Sequence, residues 1–222
     1  MKNSTTPVIW IAGILAILPL FYLAAIYPGL PNIVPTHFDM DGRPNDYSEK
    51  STLIFLTVLF SALSFGSFLL ITNLPKIDPK KTAGQSPELF KKMGITISVL
   101  FCFINFAITY AAKNKGENIT WIIFPALGIF FVFIGNYMRE IKPNYFAGFR
   151  TPWALENDDN WRETHLLAGK IWIAGGIAIT ISTIVLPTVY RFIAFMSITG
   201  IICIVPFAFS YLFFKNQQKN NL

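Results

Sequence analysis

The chain has 222 residues and a net charge of +6, with 53% hydrophobic and only 14% charged residues; Phe alone supplies 22 positions. Mean hydropathy is +0.50. A soluble fold of this length has too little interior for that much apolar surface. An ordinary cytosolic enzyme, a disordered chain and a disulfide-stapled secreted domain are therefore excluded, and an integral membrane protein remains.

Six uncharged apolar stretches approach the roughly 20 residues that cross a bilayer: 8–27, 53–72, 94–112, 120–138, 171–186 and 192–214. The fifth reaches full length when extended back to Leu166, with Lys170 snorkelling toward the head groups. The expected fold is an all-α, six-helix polytopic membrane domain. Its first part, residues 8–74, carries an outer loop at 28–51. Its last part, 120–214, carries an inner loop at 139–168. The first span has a longer apolar run than a signal-peptide core and no A-x-A site before Tyr27, so it reads as a span. Pro19, Pro125 and Pro206 fall inside spans, where proline is tolerated as a kink.

The connection 28–51 holds four prolines and two glycines, which suit a rigid extended-plus-turn segment rather than a helix. Asp41-Gly42 is a turn signal. Ile33 and Phe38 suit a protein or membrane surface. Ser48 is a candidate cap for the second helix, with Glu49 in its first turn. His37, Asp39 and Asp41, with Asp46 and Glu49 nearby, form a candidate oxygen-and-imidazole set for a divalent cation. The spacing lacks the further ligands of an EF-hand, and the same acids serve equally as turn and cap residues. The next connection, 75–93, is rich in Lys and reads as a solvated linker against anionic lipid, or a basic docking site. The connections 113–119 and 187–191 are short hairpin links.

The connection 139–168 is the most unusual. Tyr145, Phe146, Phe149 and Trp153 are too apolar for a free linker, and with Lys142 and Arg150 they suit the interfacial zone. Thr151-Pro152 is a helix start, Thr as N-cap and Pro in the first turn, opening a short helix through Leu155. Asp158 or Asp159 starts the next helix. There Trp161, His165, Ala168 and Trp172 share one face. Arg150 has Glu163, a lipid phosphate or an acidic partner as alternative mates. His165 reads as a hydrogen-bonded packing residue rather than a catalyst, since no activated nucleophile is visible. Asn105 and Asn136 are expected to bond across helices. Cys102 and Cys203 lie inside apolar runs and read as small buried hydrophobes. No cofactor is expected, nor any metal beyond the candidate set above.

Lys and Arg set the orientation. With the N-terminus inside, thirteen of the eighteen basic residues fall in inner segments and five in outer ones, so both termini are placed in the cytoplasm. The same distribution explains the positive charge without direct nucleic-acid binding.

At Gly135-Asn136, Lys142-Pro143-Asn144, Gly148, Arg150-Thr151-Pro152-Trp153, Leu155, Trp161, Thr164-His165 and Gly169 the chain resembles the SdpI-like immunity-protein family. Leu30-Pro31, Pro35, His37-Phe38, Gly42, Pro44 and Lys50 resemble the short domain of unknown function often found before it. The resemblance implies a multi-pass protein of the bacterial cell membrane that protects against an extracellular toxic peptide. It also implies signalling through a cytoplasmic repressor held at the membrane. No enzymatic activity is expected, since a hydrolase needs an activated nucleophile or a metal site and only the outer acid cluster is a candidate. The candidate ligand and partner residues are His37, Phe38, Asn136, Asn144, Arg150, Thr151, Pro152, Trp153, Trp161 and His165. A second reading comes from an echo between the halves. Pro35-Thr-His-Phe…Gly42-Arg-Pro and Pro143-Asn-Tyr-Phe…Gly148-Phe-Arg-Thr-Pro each follow the first helix of a three-helix half. An inverted three-helix repeat is a transporter device, here for a peptide or amphiphilic solute. Span cores free of ionisable residues offer no proton relay for one.

Overall fold

The computed structural model describes residues 6–77, 84, 86–114 and 117–220. Lys2, Lys80, Lys81 and Lys115, counted above for orientation, lie outside the described residues. The elements are α1 (Thr6–Ile26), a 3-10 turn (Tyr27–Gly29), β1 (Ile33–Phe38), β2 (Pro44–Glu49), α2 (Ser51–Ile77) and α3 (Pro87–Lys113). Then follow α4 (Thr120–Met138), α5 (Pro152–Glu156), α6 (Asp158–Val185) and α7 (Thr188–Asn220). Six of the helices, all but α5, are long and apolar enough to cross a membrane. Their outward faces carry exposed Trp10, Phe21, Val185 and Ile204, a surface that suits hydrocarbon and not water.

The helices form two groups of three. α1, α2 and α3 pack together, as do α4, α6 and α7, and the groups meet chiefly along α3 and α4. Small and polar residues hold the first group, as expected where lipid removes the hydrophobic drive to associate. Ser64 Oγ donates to the Ser98 carbonyl at 3.2 Å, and Ser98 Oγ donates back to the Ser64 carbonyl at 2.9 Å. Asn105 Nδ2 donates to the Thr57 carbonyl at 3.1 Å, the cross-helix bond expected of it.

The second group closes on glycine. A Cβ at Gly135 would lie 2.9 Å from the Gly169 carbonyl oxygen, and one at Gly128 would lie 2.7 Å from that of Gly176. These are two backbone contacts along the antiparallel seam of α4 and α6. Seven residues separate the glycines on each helix, two turns, so both lie on one face.

The expected all-α fold is corrected at 33–49, where the chain forms an antiparallel hairpin. Ile33 pairs with Glu49, Val34 with Ser48, Pro35 with Tyr47, His37 with Asp46 and Phe38 with Pro44, with register shifts on either side of His37. Proline is tolerated because a two-stranded sheet has only edges. The turn is built by Asp39, whose Oδ1 accepts from the Asp41 and Arg43 amides at 3.0 and 2.8 Å. Gly42 completes it at φ +74, a left-handed conformation open to glycine. Val34 joins Leu23, Leu30, Leu53 and Ala112 in a buried cluster that roots the hairpin in the first group. Its tip reaches the other group, where Asn118 Nδ2 donates to the Asp41 carbonyl and Asn118 Oδ1 accepts from the Thr120 amide at 2.9 Å.

Two boundaries also move. Ser48 and Glu49 lie in β2 and do not cap α2, which starts at Ser51. The linker 75–93 shrinks, because α2 runs to Ile77 and α3 starts at Pro87. Ser86 caps α3 by accepting from the Glu88 amide. Lys91, expected in solvent, is buried on α3 and bonds Glu88 at 2.8 Å. The helix of the fifth span begins at Asp158, as read from the sequence.

Candidate functional site

Residues 139–157 form a packed platform at the end of the bundle opposite the hairpin. Each turn of the chain is tied by a side chain from the motif. Asn144 is buried and acts as a local template. Its Oδ1 accepts from the Phe146 and Ala147 amides at 2.8 and 2.7 Å, and its Nδ2 donates to the Lys142 and Ala147 carbonyls at 2.9 and 3.1 Å. Pro143 keeps α4 from continuing. Gly148 follows at φ +105, with a Cβ there barred by the His165 ring.

His165 locks this turn onto α6. Its Nε2 accepts from the Phe149 amide at 3.0 Å, and its Nδ1 donates to the Trp161 carbonyl at 2.8 Å. Accepting an amide requires a bare Nε2, so the ring is neutral with its proton on Nδ1. The ring stacks on Trp161 at 4.1 Å between centroids. Trp161 Nε1 donates to the Ile141 carbonyl at 2.8 Å. The shared face of Trp161, His165 and Ala168 is therefore buried as the spacing predicts, with Trp172 partly buried beside it.

Thr151 caps α5, its Oγ1 accepting from the Ala154 amide at 3.2 Å. Its hydroxyl also starts a buried chain to α7. Ser210 Oγ donates to Asn160 Oδ1 at 2.7 Å, so Thr151 donates to Ser210, 2.8 Å away. Asn160 Nδ2 returns to the Ser210 carbonyl at 2.9 Å, and Thr164 Oγ1 donates to Asn160 Oδ1 at 3.0 Å. A fully satisfied buried network of this kind fixes one arrangement of its elements. Leu89 and Met93 of α3 pack into the same core as Tyr137, Ile141 and Phe149, so the platform touches both helix groups.

The candidate residues thus divide. Asn144, Thr151, Trp161 and His165 are buried and spent on holding the platform. Trp153 is half-buried against Tyr211 and Phe214. Arg150 and Pro152 are exposed, beside exposed Tyr145 and Phe146. Arg150 does not reach Glu163. Its Nη1 donates to the Tyr145 carbonyl at 2.6 Å, and Glu163 pairs with Arg162 at 3.1 Å. Asn136 is exposed on α4 and joins no cross-helix bond. At the far end, His37 is exposed and Phe38 half-buried.

The candidate cation set is not assembled. Asp39 is taken up by the turn amides, His37 Nδ1 donates to Asn45 Oδ1 at 2.6 Å, and no three His, Cys, Asp or Glu side chains gather among the described residues. Two features escaped the reading of the sequence. The glycine seam was visible as Gly-x6-Gly on both helices. A slot between α3 and α4 had no local signal, because its walls come from different helices.

These features define a multi-pass membrane protein with a hairpin at one end and a rigid aromatic platform at the other. Residues 140–210 match the model of the SdpI/YfhL protein family, and residues 14–61 match a domain of unknown function, DUF1648. The chain is similar to the "Immunity protein SdpI" of Bacillus subtilis (strain 168), 22% identical over 156 residues, covering 70% of this chain and 72% of that protein. No solved structure matches the chain. The resemblance read from the two connections is borne out, and the protein is a multi-pass component of the bacterial cell membrane.

Proposed function

We propose that this chain is a membrane immunity protein that protects its cell from an exported toxic peptide. The observation that supports this most is its similarity to an immunity protein along most of both chains. In this reading residues 8–74 present the hairpin to the toxin outside. Residues 120–214 carry the platform in the cytoplasm, where exposed Arg150, Tyr145 and Phe146 dock a soluble repressor. The buried motif residues support the same view, because they hold that exposed face in one shape.

The test is protection. Cells lacking the gene are challenged with a panel of membrane-active bacterial peptides, with and without this chain restored. Restoring it is expected to raise the lethal concentration of at least one peptide about tenfold; no shift with any peptide removes the reading. Arg150→Lys keeps the charge but loses the planar fork. It is expected to accumulate and protect normally while failing to hold its partner at the membrane. Normal recruitment would leave Arg150 as an interface residue only.

The orientation has its own test. In a cysteine-free background, Asn45→Cys is expected to react with an impermeant thiol reagent in intact cells, and Glu156→Cys only after lysis. The reverse pattern would invert the protein. One observation favours the transporter alternative: Gly42 and Gly148, the matched glycines of the two connections, both take positive φ. Their settings differ, one a hairpin and the other a turn before a short helix. Peptide flux into vesicles carrying the purified protein would support that alternative over protection by binding.

A further inference from the structure

A slot of about 770 Å³ runs between α3 and α4, where the two helix groups meet. Val8 and Ile11 of α1 also line it, as do Thr96 and Tyr137, bonded at 3.1 Å, and it runs toward Trp121 in the first turn of α4. Its walls are almost wholly apolar, with Phe103 on α3 and Ala126 on α4 deep within the span. The polar exception is the end at the start of α3. There Glu88 is engaged by Lys91, and exposed Lys92 adds a second cation to the lining.

The dimensions select the occupant. On α3 the lining runs from Glu88 to Phe103, and on α4 from Trp121 to Tyr137. At about 1.5 Å per residue these are roughly 23 and 24 Å, longer than one leaflet of about 15 Å and shorter than the whole apolar core. Spread over that length, 770 Å³ leaves a section of about 30–35 Å². An α-helix about 10–12 Å across needs roughly 80–110 Å². An extended hydrocarbon chain, with carbon contacts near 3.5–4.0 Å, needs roughly 20 Å². The slot is too narrow for a helix and has room for one or two acyl tails. A cation at that end, at the edge of the apolar span, complements an anionic headgroup.

We propose that the α3–α4 slot is a binding site for one anionic phospholipid, its tails between the helices and its phosphate at Lys92. This does not depend on the immunity reading. The lipid acts as a filler between the two helix groups, so their junction is set by membrane composition.

The test uses the full chain, purified in detergent, stripped of lipid and offered equal phosphatidylglycerol and phosphatidylcholine. Native mass spectrometry then counts what is retained. The wild type is expected to keep one phospholipid and to prefer phosphatidylglycerol about fivefold, the scale of one basic residue near an anionic surface. Lys92→Gln should keep the lipid and lose the preference. Ala126→Phe should lose the lipid while melting no lower than the stripped wild type. Should that variant fail to accumulate, Val99→Phe obstructs the slot from α3. An absent lipid, an even ratio in the wild type, or an undiminished preference in Lys92→Gln would overturn the site. So would undiminished retention in the folded filled variant, or capture of an apolar helical peptide in place of lipid.

Discussion

Gly169→Leu is expected to abolish accumulation of folded protein, or to destabilise what remains by about 3 kcal/mol or more. A Cβ at this position would lie 2.8 Å from the Gly135 carbonyl oxygen, and real Cβ atoms do not come that close. The obstacle is backbone, so no rotamer change relieves it. α4 and α6 must separate, and the second backbone contact at Gly128 and Gly176 opens with them. Membrane helices associate through close packing rather than the hydrophobic effect, so a lost seam has little to replace it. The platform spans the gap between these two helices and would be strained as well. Gly200→Leu is the control, because a Cβ there meets nothing within 4 Å. Thermal melts in detergent separate the outcomes. Matching melting temperatures for the two variants would show that the seam does not set stability.

His165→Ala is expected to cost roughly 3 kcal/mol and to loosen the platform without unfolding the spans. The loss has two parts. A large buried side chain becomes a cavity against Trp161 and Phe149. The Phe149 amide also loses its acceptor inside a packed core, which costs about 1–3 kcal/mol. Limited trypsin digestion reads the second part directly. Arg150 is exposed but held by the Tyr145 carbonyl and the His165 latch. Cleavage after Arg150 should rise in His165→Ala and also in Gly148→Ala, where the added Cβ strikes the imidazole at a strained φ. Unchanged cleavage in both would mean that the latch is dispensable.

The six spans were legible because a bilayer demands length and apolarity from every helix that crosses it. Their ends were less so. Ser86, the cap of α3, was lost in a Lys-rich linker. Asp158 and Asp159 did mark the start of α6, where Asn157 Oδ1 accepts from the Asn160 amide at 2.8 Å. The hairpin was hidden by Pro35 and Pro44, which argue against strands in a wide sheet but not in a two-stranded one. Thr151, Pro152 and the face of Trp161 and His165 were readable because capping and helical spacing are local rules. Asn136 was misread because residue type does not say which side of a helix faces a neighbour. Of the mates open to Arg150, Glu163 is not the one it meets in the structure. Its nearest acceptor is a carbonyl five residues back, and carbonyls leave no mark in a sequence.

The bond between Asn118 and the Asp41 carbonyl bears on how the protein is made. The two residues are 77 positions apart, so at about 5–20 residues per second a ribosome takes roughly 4–15 s to supply the second after the first. For most of that interval the hairpin is rooted by Val34 packing with Leu23, Leu30 and Leu53, before Ala112 completes their cluster. Its tip is fastened when the start of α4 emerges. The hairpin is thus synthesised well before the partner of its tip, and its latch waits for the second helix group to begin entering the bilayer.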